Sequence, residues 1–232
     1  DGTIHFRSIN HKFDDIQVLC GHNRFITSIS FSLDNTLLLS GSADNTLRVW
    51  DTATYKQIGD SIKHDAMIVC AQFTLDAKRI TSISRDNTLR IWDLPTRNEI
   101  IRYELKRFDL SAFSSDGRYV IIARSDNCIC LIDINIGKVI GEINNIDIYQ
   151  CKKIQFTGNN LLFYVSLLED DFAFYDVSTC KQVFSSHIRG LNLSIRYDGM
   201  EAAWSSGNEI YLQDIKTGKC IIKVMHHTHA WI

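Results

Sequence analysis

Apolar and polar side chains alternate along short stretches of this chain, as in Ile26-Thr-Ser-Ile-Ser-Phe31 and Leu47-Arg-Val-Trp50. A period of two puts every second side chain on one face, the pattern of a half-buried strand. Between such stretches stand Asp34-Asn35, Asp116-Gly117, Gly158-Asn159, Asp198-Gly199 and Thr217-Gly218. These residues accept positive φ or bond their own backbone, so they predict turns. No stretch sustains a helical period. Short strands with regular turns predict an all-β barrel, sandwich or propeller.

The stretches also repeat. Asp-Asn-Thr-Leu-Arg-Val-Trp-Asp at 44–51 returns as Asp-Asn-Thr-Leu-Arg-Ile-Trp-Asp at 86–93, and fainter copies stand at 125–133, 171–176 and 208–214. The closing aspartates, Asp51, Asp93, Asp133, Asp176 and Asp214, follow at intervals of 42, 40, 43 and 38 residues. A period of this size selects the propeller among the all-β options. The array resembles the WD-repeat (WD40) family, in which each repeat is one four-stranded antiparallel blade. That resemblance implies a single WD40-type β-propeller over residues 1–232, with whole blades at approximately 25–60, 66–103, 107–144, 149–186 and 190–225. Partial blades flank them. Asp1–Arg7 aligns with Asp44–Trp50, so it is expected to be a third strand, with 15–20 as the fourth. His227 aligns with His22 shortly before Ile232. The expectation is five whole blades of a seven-bladed or larger propeller. The chain opens on Asp1 rather than Met, which leaves room for residues upstream.

In the family, a His ahead of the innermost strand, a Ser or Thr in the second strand, an Asp in the next turn and a Trp in the third strand share one hydrogen-bonded network. His22, Ser40, Asp44 and Trp50 match that pattern, and His64, Ser82, Asp86 and Trp92 match it again. The chemistry is coherent: a buried carboxylate needs donors, an imidazole can bridge it to a hydroxyl, and the indole N–H finds its acceptor at the far end. A Ser–His–Asp set also suggests a hydrolase. Its double occurrence at identical spacing, each time with a Trp, favours a fold-stabilising element instead. Later blades depart from the pattern. The Trp position holds Ile132, Tyr175 and Gln213, with Arg7 in the opening half-blade, while the third blade keeps Asp126 but has Ile122 for the Ser and no preceding His. His187 serves the fifth blade only at irregular spacing. Apolar packing is expected to carry these blades.

Composition narrows the function. With 45% hydrophobic and 22% charged residues the chain can build a core without metal or disulfide staples. A net charge of −2 offers no basic field to nucleic acid or anionic lipid. The longest apolar runs, such as 160–168, are too short to span a bilayer. Seven cysteines, none in a CxxC pair, read as small reduced side chains of a cytoplasmic protein. His226, His227 and His229, and the run Glu169-Asp170-Asp171, read as loop residues rather than metal ligands, and no GxGxxG or P-loop occurs. Neither metal nor cofactor is expected.

The resemblance implies docking on the wider face, through residues three and five beyond the repeat His and the residue before the turn Asp. Here these include Phe25, Thr27, Met67, Val69, Arg85, Arg107, Asp109, Lys152 and Arg189. Apolar anchors beside arginines have the composition of a binding hot spot. Only Phe25 among them could stack a base, which disfavours nucleic acid. The expected function is a non-catalytic scaffold or adaptor for protein partners. One alternative is a recognition propeller for acidic or phosphorylated peptides, such as the substrate arm of a ubiquitin ligase, using Arg85, Arg107, Lys152 and Arg189. An alternative of another class is a propeller enzyme with a funnel active site. That would want carboxylates or His at the channel mouth, where alignment places only Asp109.

Overall fold

The computed structural model describes residues 2–7, 16–168, 171–186, 191–206 and 209–225, which resolve into two compact units, Asp1–Lys106 and Arg107–Ile232. In the first unit, β1 (Thr3–Arg7) and β2 (Ile16–Cys20) pair antiparallel as a two-stranded half-blade. The first whole blade is β3 (Ile26–Phe31), β4 (Leu37–Ser42), β5 (Thr46–Asp51) and β6 (Ile62–Lys63). The second is β7 (Ile68–Phe73), β8 (Arg79–Ser84), β9 (Thr88–Asp93) and β10 (Glu99–Glu104). The other unit holds three more. They are β11 (Phe108–Phe113) to β14 (Lys138–Asn144), β15 (Cys151–Phe156) to β18 (Gln182–Ser186), and β19 (Leu191–Ile195) to β22 (Cys220–Met225). Each is a four-stranded antiparallel meander. The first blade reaches Lys63, beyond the expected boundary at 60, because a loop with Gly59 at positive φ intervenes before β6 pairs with Thr46 and Leu47. One 3-10 turn, Ile148–Gln150, precedes β15.

The turns explain the period. Between first and second strands a residue of positive φ recurs at one position: Asn35, Ala77, Gly117, Asn160 and Gly199. Asparagine and glycine adopt that conformation at little cost, whereas Ala77, at φ 50°, is strained. Between third and fourth strands, the closing aspartates accept backbone amides of the turn. Asp51 takes Thr54 N at 2.6 Å, Asp93 takes Thr96 N at 2.9 Å, and Asp214 takes Thr217 N at 2.6 Å. The most regular residue of the repeat is therefore a turn cap.

Both faces of a blade are apolar, so each blade is stable only against a neighbour. In the first unit Leu39, Leu47, Val49, Ile68, Phe73 and Ile80 are buried between the two whole blades. Ser28 Oγ bridges them, accepting from Ala71 N at 3.0 Å and donating to Ala71 O at 3.2 Å. Gly41 permits this approach, since a Cβ there would sit 2.6 Å from Ile68 Cγ2. Trp50 and Leu38 pack on Ile4 and Leu19 of the half-blade. In the other unit Phe156, Phe163, Val165 and Tyr175 form one such layer and Tyr164, Phe174 and Trp204 the next. Among the described residues no helix is long and apolar enough to cross a membrane.

Candidate functional site

In the first blade Trp50 Nε1–H donates to Ser40 Oγ (2.8 Å), the Ser40 hydroxyl donates to His22 Nε2 (2.7 Å), and His22 Nδ1–H donates to Asp44 Oδ2 (2.9 Å). The second blade repeats the chain through Trp92, Ser82, His64 and Asp86 with 2.8 Å at every link. An indole only donates and a carboxylate only accepts, so with a neutral imidazole the Ser and His between them each do both. Burial lowers the pKa of His22 and His64, against the pull of Asp44 and Asp86. Burial alone would raise Asp44, but bonds from Thr46, the Asn23 amide and His22 outweigh it and hold the carboxyl at about 2. Asp86 is held at about 2 in the same way, by Thr88, His64 and the Asp65 amide. Ser40 and Ser82 are fully buried, and both functions of each hydroxyl are already engaged.

The residues placed on the docking face occupy equivalent backbone positions. Ala43 N donates to Phe25 O, Arg85 N to Met67 O and Ser125 N to Arg107 O, at 3.0, 2.9 and 2.9 Å. Two residues further along, the innermost strand of each of the first four whole blades breaks register. Ile26 pairs with Ser42 but Ser28 with Gly41, leaving Thr27 as the extra residue of a β-bulge. Val69, Asp109 and Lys152 are the extra residues in the next three blades. The fifth blade shifts too, between Leu191 and Ser194. A bulge re-aims a side chain away from the ladder, so one residue per blade is displaced from the sheet's own packing. Phe25 is 55% exposed, Thr27, Met67 and Val69 are half-buried, and Arg85, Arg107, Asp109 and Lys152 are exposed. Thr27 Oγ1 donates to Gly41 O (3.1 Å), and Asp109 accepts Ser125 Oγ (3.0 Å). Phe25, Thr27, Met67, Val69 and Arg85 belong to one compact unit; Arg107, Asp109 and Lys152 belong to the other. Arg189 lies outside the described residues, as do Glu169, Asp170, His187, His226, His227 and His229.

The family described as "WD domain, G-beta repeat" matches residues 13–51 and 56–93. Over those two repeats, about a third of the chain, the sequence matches the WD-repeat family. Among curated relatives, WD repeat-containing protein 18 of Danio rerio is 48% identical over 48 residues, covering 21% of this chain and 11% of that protein. The 77 kDa echinoderm microtubule-associated protein of Strongylocentrotus purpuratus is 39% identical over 61 residues, covering 25% and 9%. The matched segments thus span about a tenth of the length of these relatives. Among solved structures, the β-propeller domain of Cps50 (Swd1) from Myceliophteria thermophila matches with TM-score 0.65 at 14% identity, over 90% of this chain and 76% of that one. The fold is a WD40-type β-propeller, with β1 and β2 a partial blade. Propellers of this family generally serve protein–protein interaction and are typically not enzymes.

Against the WD pattern, the later blades replace the tetrad. In the third blade Ile122 and Ile132 are buried where Ser40 and Trp50 stand, and Arg124 makes an ion pair with the turn residue Asp126. Arg124 Nη1 also reaches Cys130 Sγ at 3.0 Å and Glu142 at 3.1 Å. Cys128, Cys130 and Glu142 lie within metal-ligating distance of one another, but the guanidinium sits among them and burial pushes the Cys130 thiol up to about 12. In the fourth blade Tyr175 fills the Trp position, stacked on Phe163 at 5.3 Å. In the fifth, Trp204 takes the place of Ser40, stacked on Tyr211 at 5.7 Å, and its buried Nε1 has no partner. Gln213 stands at the Trp position and donates to Gly218 O at 2.6 Å. The bulges, the Arg124 cluster and the Trp204 substitution escaped the sequence, because each depends on which residues face one another across strands.

Proposed function

We propose that the chain is a non-catalytic protein-interaction scaffold, and that partners dock on the blade ends carrying Phe25, Thr27, Met67, Val69 and Arg85 in one unit and Arg107, Asp109 and Lys152 in the other. The observation that carries this is the β-bulge at the same position of the innermost strand in the first four whole blades. A bulge weakens the ladder, so a feature repeated in four successive blades calls for a use, and re-aiming a variable side chain toward a partner supplies one. The non-catalytic part is supported by the tetrads. Each serine hydroxyl is bonded to an imidazole and accepts an indole N–H, and both serines are fully buried from any substrate. Seven cysteines outside any disulfide support a reducing, cytoplasmic setting.

The test compares partner capture by the wild-type chain with Phe25→Ala and with Arg85→Glu/Arg107→Glu. Phe25→Ala should weaken every partner through lost apolar contact, by about 2 kcal/mol or more if Phe25 is a hot spot. The double charge reversal should act selectively on acidic partners, and melting temperature should barely move. Identical partner sets and affinities for all three proteins would refute this docking face.

A further inference from the structure

The two tetrad blades hold an arginine at one and the same place, Arg48 opposite Ser40 and Arg90 opposite Ser82. Their surroundings differ in charge. The Arg90 guanidinium is ringed by carboxylates: Asp65 at 2.7 Å, Asp86 at 2.8 Å and Glu99 at 3.3 Å, with Nε on Thr88 Oγ1 at 2.9 Å. Its side chain is only 5% exposed. In the first blade the residue equivalent to Asp65 is Asn23, whose amide likewise caps the turn aspartate. The residue equivalent to Glu99 is Gln57, paired opposite Trp50 as Glu99 is opposite Trp92. Gln57 Oε1 accepts Arg48 Nη1 at 2.5 Å, the neutral counterpart of the Arg90–Glu99 bond. Pairing gives a third exchange, because Thr46 faces Lys63 where Thr88 faces Glu104. Two carboxylates have become their isosteric amides, and a third has become a cation.

Arg48 is therefore a cation without the counter-charges that its twin possesses. Its Nε is buried and has no hydrogen-bond partner. It lines a polar cleft of about 370 Å³ together with Asn23, Asn45, Thr46, Ser61 and Lys63. One carboxylate, Asp44, also lines the cleft, but it is saturated by Thr46 N, Thr46 Oγ1, Asn23 N and His22 Nδ1. Two cations beside amide groups and the Ser61 hydroxyl make a site for a small oxyanion. We propose that this cleft binds a phosphate group. The site is distinct from the bulge residues and does not rest on the docking face proposed above. The chemistry is that of a phosphate monoester dianion, whether free or carried on a phosphorylated side chain.

The experiment is isothermal titration calorimetry at constant ionic strength, with inorganic phosphate and, in a separate arm, a phosphoserine peptide beside its unphosphorylated form. Three proteins are compared: wild type, Asn23→Asp/Gln57→Glu, and Asp65→Asn/Glu99→Gln. The first pair restores the second-blade arrangement without changing shape, and its folding is checked by circular dichroism. Inorganic phosphate should bind wild type saturably and the restored variant roughly tenfold more weakly or less, the worth of a charge-assisted hydrogen bond. The reciprocal pair leaves Arg90 on Asp86 and Glu104 opposite Thr88, so it should bind phosphate as wild type does, with no second equivalent. Tighter binding of the phosphopeptide than of inorganic phosphate assigns the group to a partner; equal binding assigns it to a free ester. Absence of saturable phosphate binding to wild type, or equal binding to the restored variant, overturns the proposal.

Discussion

Ser82 stands at the midpoint of a buried relay, and its replacement by alanine is the sharpest probe of what that relay contributes. The hydroxyl is both the acceptor for Trp92 Nε1–H and the donor to His64 Nε2, each at 2.8 Å. Trp92 and His64 are themselves buried, so water does not reach either freed group. A buried polar group stripped of its partner costs about 1–3 kcal/mol, and Ser82→Ala strips two, so the loss should be about 2–6 kcal/mol. That is a large share of the roughly 5–15 kcal/mol that holds an ordinary domain together. Ser82→Thr keeps the hydroxyl and should lose far less. Urea unfolding followed by tryptophan fluorescence at neutral pH measures both. A loss under about 1 kcal/mol for Ser82→Ala, the net worth of one ordinary hydrogen bond, would refute a cooperative relay.

Other outcomes follow from the same geometry. His22 and His64 have folded pKa values below their ordinary 6.5, so the unfolded chain takes up protons first; their contribution is complete above pH 6.5 and is lost as pH falls below it. Asp44 and Asp86, lowered from 3.8 to about 2, add a second loss of about 2 kcal/mol each as pH falls through that interval, and a melting temperature flat from pH 7 to pH 3 would contradict both. Ala77→Gly should stabilise by about 1 kcal/mol in denaturant titration, because Ala77 holds φ 50° where Gly117 and Gly199 stand in other blades. Gly141→Ala would place a Cβ 2.1 Å from Cys180 Sγ and should cost about 1–3 kcal/mol; Cys180→Gly, at φ 53°, should rescue it in a double-mutant cycle.

Much of the architecture was legible in the residues because its causes are local. Alternation marks a strand, Asp-Asn and Asp-Gly mark the turns, and a capping Asp closes each repeat, so the period and the fold class can be read without knowing any contact. The paired residues of the tetrad were legible for the same reason: the turn that brings Asp44 back over His22 is written in Asp-Asn-Thr. What the tertiary structure alone decided lies across strands and between blades. Nothing in the alternation of 25–31 announces that Thr27 is an extra residue, since a bulge is defined by the partner strand. The short loop that displaces the fourth strand of the first blade to Lys63 hides the exchange of Glu104 for a cation. Arg48 and Arg90 sit in identical Leu-Arg-[Val/Ile]-Trp segments, yet one is ringed by carboxylates and the other by amides. Sequence neighbours determine how a backbone turns, but the charge that a side chain meets is set by residues 9 and 25 positions away, which only the folded sheet brings to it.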